Sequence, residues 1–395
     1  MKKSICAIDI GSATTKILVC QRQKNGLTLL FKDIETSEGV KKGAILDPEK
    51  TARVLKKLLG RIEENLKTRI DSAFFSLGGV NLFSLPARAT ISVSRADLII
   101  SQEDVERVLK EAKTVGLGHN REIFEVIPKE FSVDGEKGIR DPKGLRGTRL
   151  EAETLLLGCF SPHLEKIKET AFRTDLEVLD LIPSPLACAK AVLNEKQKEN
   201  GVCLLDIGAQ TTSLAVFEEG NLIHLKVLPI GSQAVTNEIA ISFKLEPEIA
   251  ERIKIEYGSL NSRKKSTKEK VEVGEENLVF SQKILSKIIQ QKFSEIFFEV
   301  KKELKEIKRD KKLPCGVVLT GGGAKIPQIV QFAKEKLRLY CQLGTPKGIL
   351  NLEEEPIFSV AAGLILLGNE IEEREARERG DLFSKIKKFF KIFIP

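Results

Sequence analysis

The chain has no tryptophan, two tyrosines and one methionine in 395 residues. Outside its last residues it shows no basic–aromatic stacking pattern, so nucleic acid is not an expected partner. Three histidines and seven cysteines, none in a CxxC pair, argue against a zinc-type metal site. Most of the cysteines fall inside apolar runs and read as small buried hydrophobes in a reducing cytoplasm. No run of 18 apolar residues exists, so nothing is expected to span a bilayer. Met1-Lys2-Lys3 leads straight into a strand pattern, without the h-region of a signal peptide. There is no GxxxxGK[ST], which excludes a P-loop. No GxGxxG opens a helix after the first strand, which excludes a Rossmann site.

Hydrophobic content of 42% and charged content of 30% fit a globular chain. The length allows two or three domains at roughly 150 residues each. Net charge is +8, from 64 basic and 56 acidic residues. That excess is modest, so its position matters more than its total.

Apolar patterning reads as strand–turn–strand over 4–19, with a third strand at 27–33. A helix follows over 47–66, with Asp47 as N-cap. A strand at 72–77 ends at Gly78-Gly79. Character changes over 83–157, where two β-rich pieces flank a helix opened by the capping box Ser101-Gln102-Glu103-Asp104. Then come a helix (164–174), a strand (176–182), a small-residue helix (185–193) and a strand (201–205) ending in Asp206-Ile207-Gly208. Two more strands follow, at 209–217 and 221–228. A strand–DxG–strand unit therefore occurs twice, at Asp9 and Asp206, which marks an internal duplication. Residues 247–312 are charged and helical, with a polar interruption at 259–270. A strand at 317–319 runs into Thr320–Gly323, and 357–367 is an apolar helix.

The chemistry concentrates in three turns. DIGSATTK, at 9–16, lies between two apolar strands. A tight glycine turn leaves backbone N–H groups pointing outward, which suits phosphate oxygens. Gly11, Ser12 and Thr14 form that turn. Asp9 would hold Mg²⁺ through water, because this ion prefers oxygen ligands and keeps its hydration. Lys16 would neutralise phosphate charge. DIGAQTT, at 206–212, offers the same apparatus again, with Asp206 for Mg²⁺ and Gly208, Thr211 and Thr212 in the turn. TGGGAKIP, at 320–327, lets Gly321, Gly322 and Gly323 approach a flat base or ribose closely. Alone, each motif is an ordinary turn or hinge. Their order and spacing are the specific signal.

That order resembles the actin, Hsp70 and sugar-kinase superfamily. The resemblance implies an α/β, actin-like ATPase fold. Two duplicated RNase H-like domains would clamp Mg-ATP between paired hairpins. SPLACAKAVL (184–193) and IFSVAAGLILLG (357–368) match its connecting helices, with small residues where two helices cross closely. Glu251 and Lys254, in AERIKIEYG, match its adenosine-side helix and share one face at i, i+3. A surface ion pair is the ordinary alternative for them.

Within the superfamily the stretch 83–157 discriminates. FSLGGVNLFS (75–84) and REIFEVIPKEFSVDGEKGIRDPKGLRGTRLEAE (121–153) are similar to the bacterial cell-division family FtsA, whose inserted subdomain carries IPxEFxVDG…GIxDPxGxxGxRLE. The resemblance covers nearly the whole chain. It implies a first actin-like domain at 1–82 and 158–205, with the FtsA-type subdomain inserted at 83–157. A second core would lie at 206–245 and 317–368, with an adenosine-side helical subdomain at 246–316. A charged linker is expected at 369–380 and an amphipathic membrane-targeting helix at 381–395. The family binds ATP, polymerises, and tethers filaments of the tubulin-like FtsZ to the inner membrane. Its site for the FtsZ C-terminal tail lies on the part matching 246–316. Here 17 Lys+Arg stand against 13 Asp+Glu, a basic surface that suits an acidic, apolar tail. Other division proteins would be recruited through 83–157. The implied location is the cytoplasmic face of the inner membrane at the division site.

On a helical wheel Leu382, Phe383, Ile386, Phe389, Phe390 and Phe393 fall within about 120°. Lys385, Lys387, Lys388 and Lys391 take the remainder. An apolar face rimmed by lysines describes a helix lying in an anionic membrane surface. Each lysine contributes on the order of 1 kcal/mol.

Hydrolysis is where the chain departs from its relatives. Ser184 stands before the proline of the first connecting helix, where many actin-like ATPases carry Glu or Gln. Ser213 stands where the second loop's aspartate is usual. Phosphoryl transfer depends on positioning and charge stabilisation, so ATP binding with slow hydrolysis is expected. Gln210 is the tentative catalytic residue. Two alternatives stay open. One is a PilM-like scaffold of type IV pilus assembly, which leaves 381–395 unexplained. The other is a sugar- or acetate-kinase-like enzyme, for which no substrate-side carboxylate stands out.

Overall fold

The strand Ser4–Ile10 is buried from Ile5 onward, and alternation cannot be read in a strand covered on both faces. The computed structural model describes residues 4–114, 116–260, 268–273 and 276–378. The expected membrane helix at 381–395 lies outside them.

Ser4–Ile10 is the central strand of a sheet ordered Glu177–Pro183, Ser72–Leu77, Ser4–Ile10, Thr14–Gln23, Gly26–Thr36, with Ile349–Leu350 at the far edge. Its neighbours are parallel on one side and an antiparallel meander on the other. The second half repeats the order as Cys341–Leu343, Val317–Thr320, Val202–Ile207, Thr212–Glu218, Asn221–Leu228. The duplication expected from Asp9 and Asp206 is thus a duplication of sheet topology. The second sheet runs on into the inserted subdomain. Lys226 pairs with Phe83, and the strands Phe83–Ser92, Arg149–Phe160, Arg121–Val133 and Glu136–Ile139 follow in that order. Ser84 seals the joint: its hydroxyl accepts from Leu225 N at 3.0 Å and donates to Leu225 O at 2.8 Å.

Local chemistry sets the helix boundaries. Asp47 caps Pro48–Leu66 by accepting from Lys50 N. Ser101 and Asp104 form the expected reciprocal box on Gln102–Ala112. That helix buries Val105, Val108 and Leu109 in the core of the inserted subdomain, with Ala89, Val126 and Leu156. The connecting helices Ser184–Val192 and Ser359–Glu378 cross at Gly363. A Cβ there would lie 1.7 Å from the Ala187 carbonyl oxygen, so only glycine permits the approach.

Two expectations need correction. The polar interruption near 259–270 is longer and partly β: an antiparallel hairpin pairs Lys268–Val273 with Glu276–Ser281, and the helix Gln282–Glu306 follows. Charged residue content hid a period-2 segment there. The charged tether does not begin at 369, because the last connecting helix continues to Glu378. Two of its carboxylates have partners across the fold. Lys190 pairs with Glu370 at 2.6 Å, Arg22 with Glu373 at 3.5 Å, and Arg22 Nε donates to Asn369 Oδ1 at 2.8 Å.

Candidate functional site

Both central strands end in the same turn. Gly11 N donates to Thr14 O at 3.1 Å, and Gly208 N to Thr211 O at 2.9 Å. Asp9 lies opposite Lys16 in the first hairpin, and Asp206 opposite Ser213 in the second. The two copies therefore differ in charge at one equivalent position. Lys16 Nζ sits 3.2 Å from Asp9 Oδ2.

The two turns face a cavity of about 490 Å³, within the roughly 300–1,000 Å³ usual for ligand pockets. Asp9, Gly11, Ser12, Thr14 and Lys16 line it from one half. Asp206, Gly208, Thr211, Glu251, Lys254, Gly321, Gly322 and Gly323 line it from the other. Ile255, Phe293, Ile326 and Ile357 supply apolar wall. Two residues expected in the site are not part of its lining. Thr212 is buried, and its hydroxyl donates to Ile230 O at 2.8 Å. In a period-2 strand it points away from the face that Thr211 presents. Gln210 reaches across to the other half instead, where its Oε1 accepts from Lys42 N at 2.7 Å.

Charge is concentrated here. Burial and the neighbouring Asp9 charge push the Asp206 carboxyl up to about 6, with Lys16 pulling the other way. Gly321 packs directly on that carboxylate: its φ is +85°, and a Cβ would fall 2.1 Å from Asp206 Oδ1. Glu251 and Lys254 are more than a surface pair. Lys254 is buried and donates to Glu251 Oε2 at 2.6 Å and Thr236 Oγ1 at 2.9 Å. Burial lowers its pKa, and Glu251 opposes that shift. Hard oxygen donors, the ammonium groups of Lys16 and Lys254 and close backbone can hold an anion with its counter-cation. The apolar wall can cover a planar group. No cluster of three or more His, Cys, Asp or Glu suited to a metal ion exists among the described residues, so an ion held here would depend on its ligand and water as well as on Asp9 and Asp206.

Several lining residues had no motif to announce them. Gly43, Gly78 and Gly79 close one side of the cavity, and Ser232 another part. The buried His163 holds Gly78 in place, with Nε2 at 3.0 Å from Gly78 O. Burial lowers its pKa, so the neutral ring serves as donor. The paired glycines at 78–79 were the one available hint.

A family model for the cell division protein FtsA matches residues 203–363, and a model for the SHS2 domain inserted in FtsA matches 79–157. The cell division protein FtsA of Pseudomonas aeruginosa is 31% identical over 374 residues, covering 93% of this chain and 89% of that protein. The chain belongs to the FtsA family. Among solved structures, the PilM–PilN type IV pilus biogenesis complex superposes with a TM-score of 0.68 at 18% identity, over 93% of this chain and 99% of that one. MreB5 of Spiroplasma citri bound to ADP gives 0.57 at 13% identity, over 96% and 99%. At such identities the likeness speaks for the fold alone, and that fold is actin-like. The pilus and kinase alternatives therefore lose their ground: the likeness to PilM is one of fold, whereas the inserted subdomain is that of FtsA. No described helix is long and apolar enough to cross a membrane.

Proposed function

We propose that this FtsA-family protein binds Mg-ATP in the cavity between its halves, polymerises, and tethers FtsZ filaments to the cytoplasmic face of the cell membrane at the division site. The observation that carries the nucleotide reading is the pairing of two like Asp–Gly hairpins around one cavity, with Lys16 on one side only. Turn amides at Gly11 and Gly208 suit phosphate oxygens. Asp9 and Asp206 would hold Mg²⁺ through water, and Lys16 would offset phosphate charge. Lys254, Glu251 and the Gly321–Gly323 backbone would hold the nucleoside. Bound Mg²⁺ would neutralise phosphate charge and polarise the terminal phosphate. Ser184 lines the cavity where relatives place an acid or amide, and its short hydroxyl is a poor water-orienting group, so turnover is slow.

Membrane attachment rests on the sequence of 381–395, with its phenylalanine face and lysine rim. One such helix binds weakly, and a polymer carrying many binds by effective concentration. The FtsZ tail would dock on the basic part of 246–316, and other division proteins on 83–157. The test is co-sedimentation with anionic liposomes, with and without ATP and FtsZ. The full chain is expected to pellet with vesicles and to bring FtsZ down. A chain lacking 381–395 should stay in the supernatant, and equal pelleting of that truncation would reject the anchor.

A further inference from the structure

Gln210 and its partner Lys42 lie on different halves of the molecule. Lys42 and Gly43 form the tip of a small hairpin in which Val40–Lys41 pairs with Ala44–Ile45. Both tip residues have positive φ, 50° and 73°, the pattern of a type I′ turn. Such a turn directs its amides outward, and here each is taken by a different glycine hairpin. Gly43 N donates to Ser12 Oγ at 2.8 Å, and Lys42 N donates to Gln210 Oε1 at 2.7 Å. The tip is backed by the next loop: Val80 N donates to Lys42 O at 3.3 Å, and a Cβ on Gly43 would lie 2.6 Å from Gly79 Cα. Gly43 and Gly79 both line the cavity.

The duplication makes the role of Gln210 legible. Counting from Asp9 and Asp206, Gln210 occupies the place of Ala13 in the first hairpin. Alanine there has no reach, whereas the amide two methylenes out on Gln210 spans to the opposite half. We propose that Gln210 is a latch. By holding the tip amide of Lys42 it ties the halves together beside the cavity. It thereby sets how often the cleft opens and how fast a bound nucleotide escapes. This makes it a positioning residue, and its bond to Lys42 replaces the tentative catalytic role expected from the sequence. The nucleotide part rests on the function proposed above, while the latch itself does not.

The bond needs only an acceptor at the right reach, and that fixes the variants. Gln210→Glu keeps an acceptor at the same distance, Gln210→Asn shortens it, and Gln210→Ala removes it. Hydrogen exchange of the full chain without nucleotide reads the latch directly. In Gln210→Ala and Gln210→Asn the Lys42 amide should exchange about tenfold faster, as expected for the loss of one partly exposed hydrogen bond. Gln210→Glu should stay near the parent. Exchange in the strand Ser4–Ile10 should be unchanged in all three, which reports that each is folded. With a fluorescent ATP analogue and Mg²⁺, release from Gln210→Ala and Gln210→Asn should quicken by a similar factor. Parent-like exchange of Lys42 in Gln210→Ala, or in Gln210→Asn, would overturn the latch. So would slowed hydrolysis with release unchanged, which would return Gln210 to catalysis. If the parent binds no analogue at all, the proposed nucleotide site fails and the exchange measurement still decides the latch.

Discussion

A single side-chain atom decides what Gly321 can be. Its φ of +85° is one that L-residues rarely adopt, and a Cβ would press within 2.1 Å of Asp206 Oδ1. Gly322 sits one residue on, and a Cβ there would meet Ile357 Cγ2 at an ordinary 3.7 Å. Gly321→Ala should therefore lower unfolding free energy by about 1–3 kcal/mol, the usual range for a strained backbone position, and displace the carboxylate of Asp206. Gly322→Ala should change stability by less. Urea unfolding of the two variants checks the order, and equal effects would contradict it. Of this site, Asp9, Gly11, Asp206, Gly208 and the three glycines were legible because a motif needs particular residue types at fixed spacing. Gly43 and Ser232 line the same cavity with no such signature, because only long-range contacts bring them there.

At the scale of the element, the same substitution has opposite signs in two helices. Gly60 lies within Pro48–Leu66, where an added Cβ would meet nothing within 4 Å, whereas a Cβ on Gly363 would strike the Ala187 backbone. Alanine is favoured over glycine by about 1 kcal/mol in a helix interior. Gly60→Ala should thus stabilise by about 0.5–1 kcal/mol. In Gly363→Ala the clash outweighs that gain, since overpacking costs typically about 1–3 kcal/mol and the obstacle is backbone. Thermal unfolding should move the two variants in opposite directions, and a rise for both would show that the helices can part freely. The small residues of 184–193 and 357–368 had signalled a close crossing. Charge did not signal as well. Residues 369–378 have the composition of a solvated tether, yet the stretch is helical, and Lys190 and Arg22 pair with its Glu370 and Glu373. Composition reports which groups want water; only the fold reports which have found a partner.

Between the inserted subdomain and the first half the whole molecule carries a joint lined by carboxyl groups. A second cavity of about 360 Å³ separates the strand Arg121–Val133 from the edge strand Glu177–Pro183, walled by Leu77, Phe124, Leu164, Ile182 and Leu367. Glu125 and Asp180 face it from the two sides, with Glu122 and Lys168 also in its lining. Burial pushes the Glu125 carboxyl up to about 8, with Lys113 pulling down and Asp180 pushing up. Burial likewise raises Asp180 to about 6, with the Leu181 amide opposing and Glu375 adding to the rise. A carboxyl with a raised pKa binds its proton more tightly folded than unfolded. Its contribution to stability is therefore complete at low pH and is lost as pH climbs through the folded value. For Asp180 that loss is over by about pH 6, and for Glu125 it continues through about pH 8. The parent protein should thus melt at lower temperature at about pH 8.5 than at about pH 6. Gln in place of Glu125 keeps the shape without the charge, so Glu125→Gln should flatten that slope and outlast the parent at the alkaline end. Only below about pH 4, where Glu125 is protonated in the folded and the unfolded chain alike, should the two melt alike. Melting curves of parent and variant that stay parallel across this whole range would show that the joint holds no such proton.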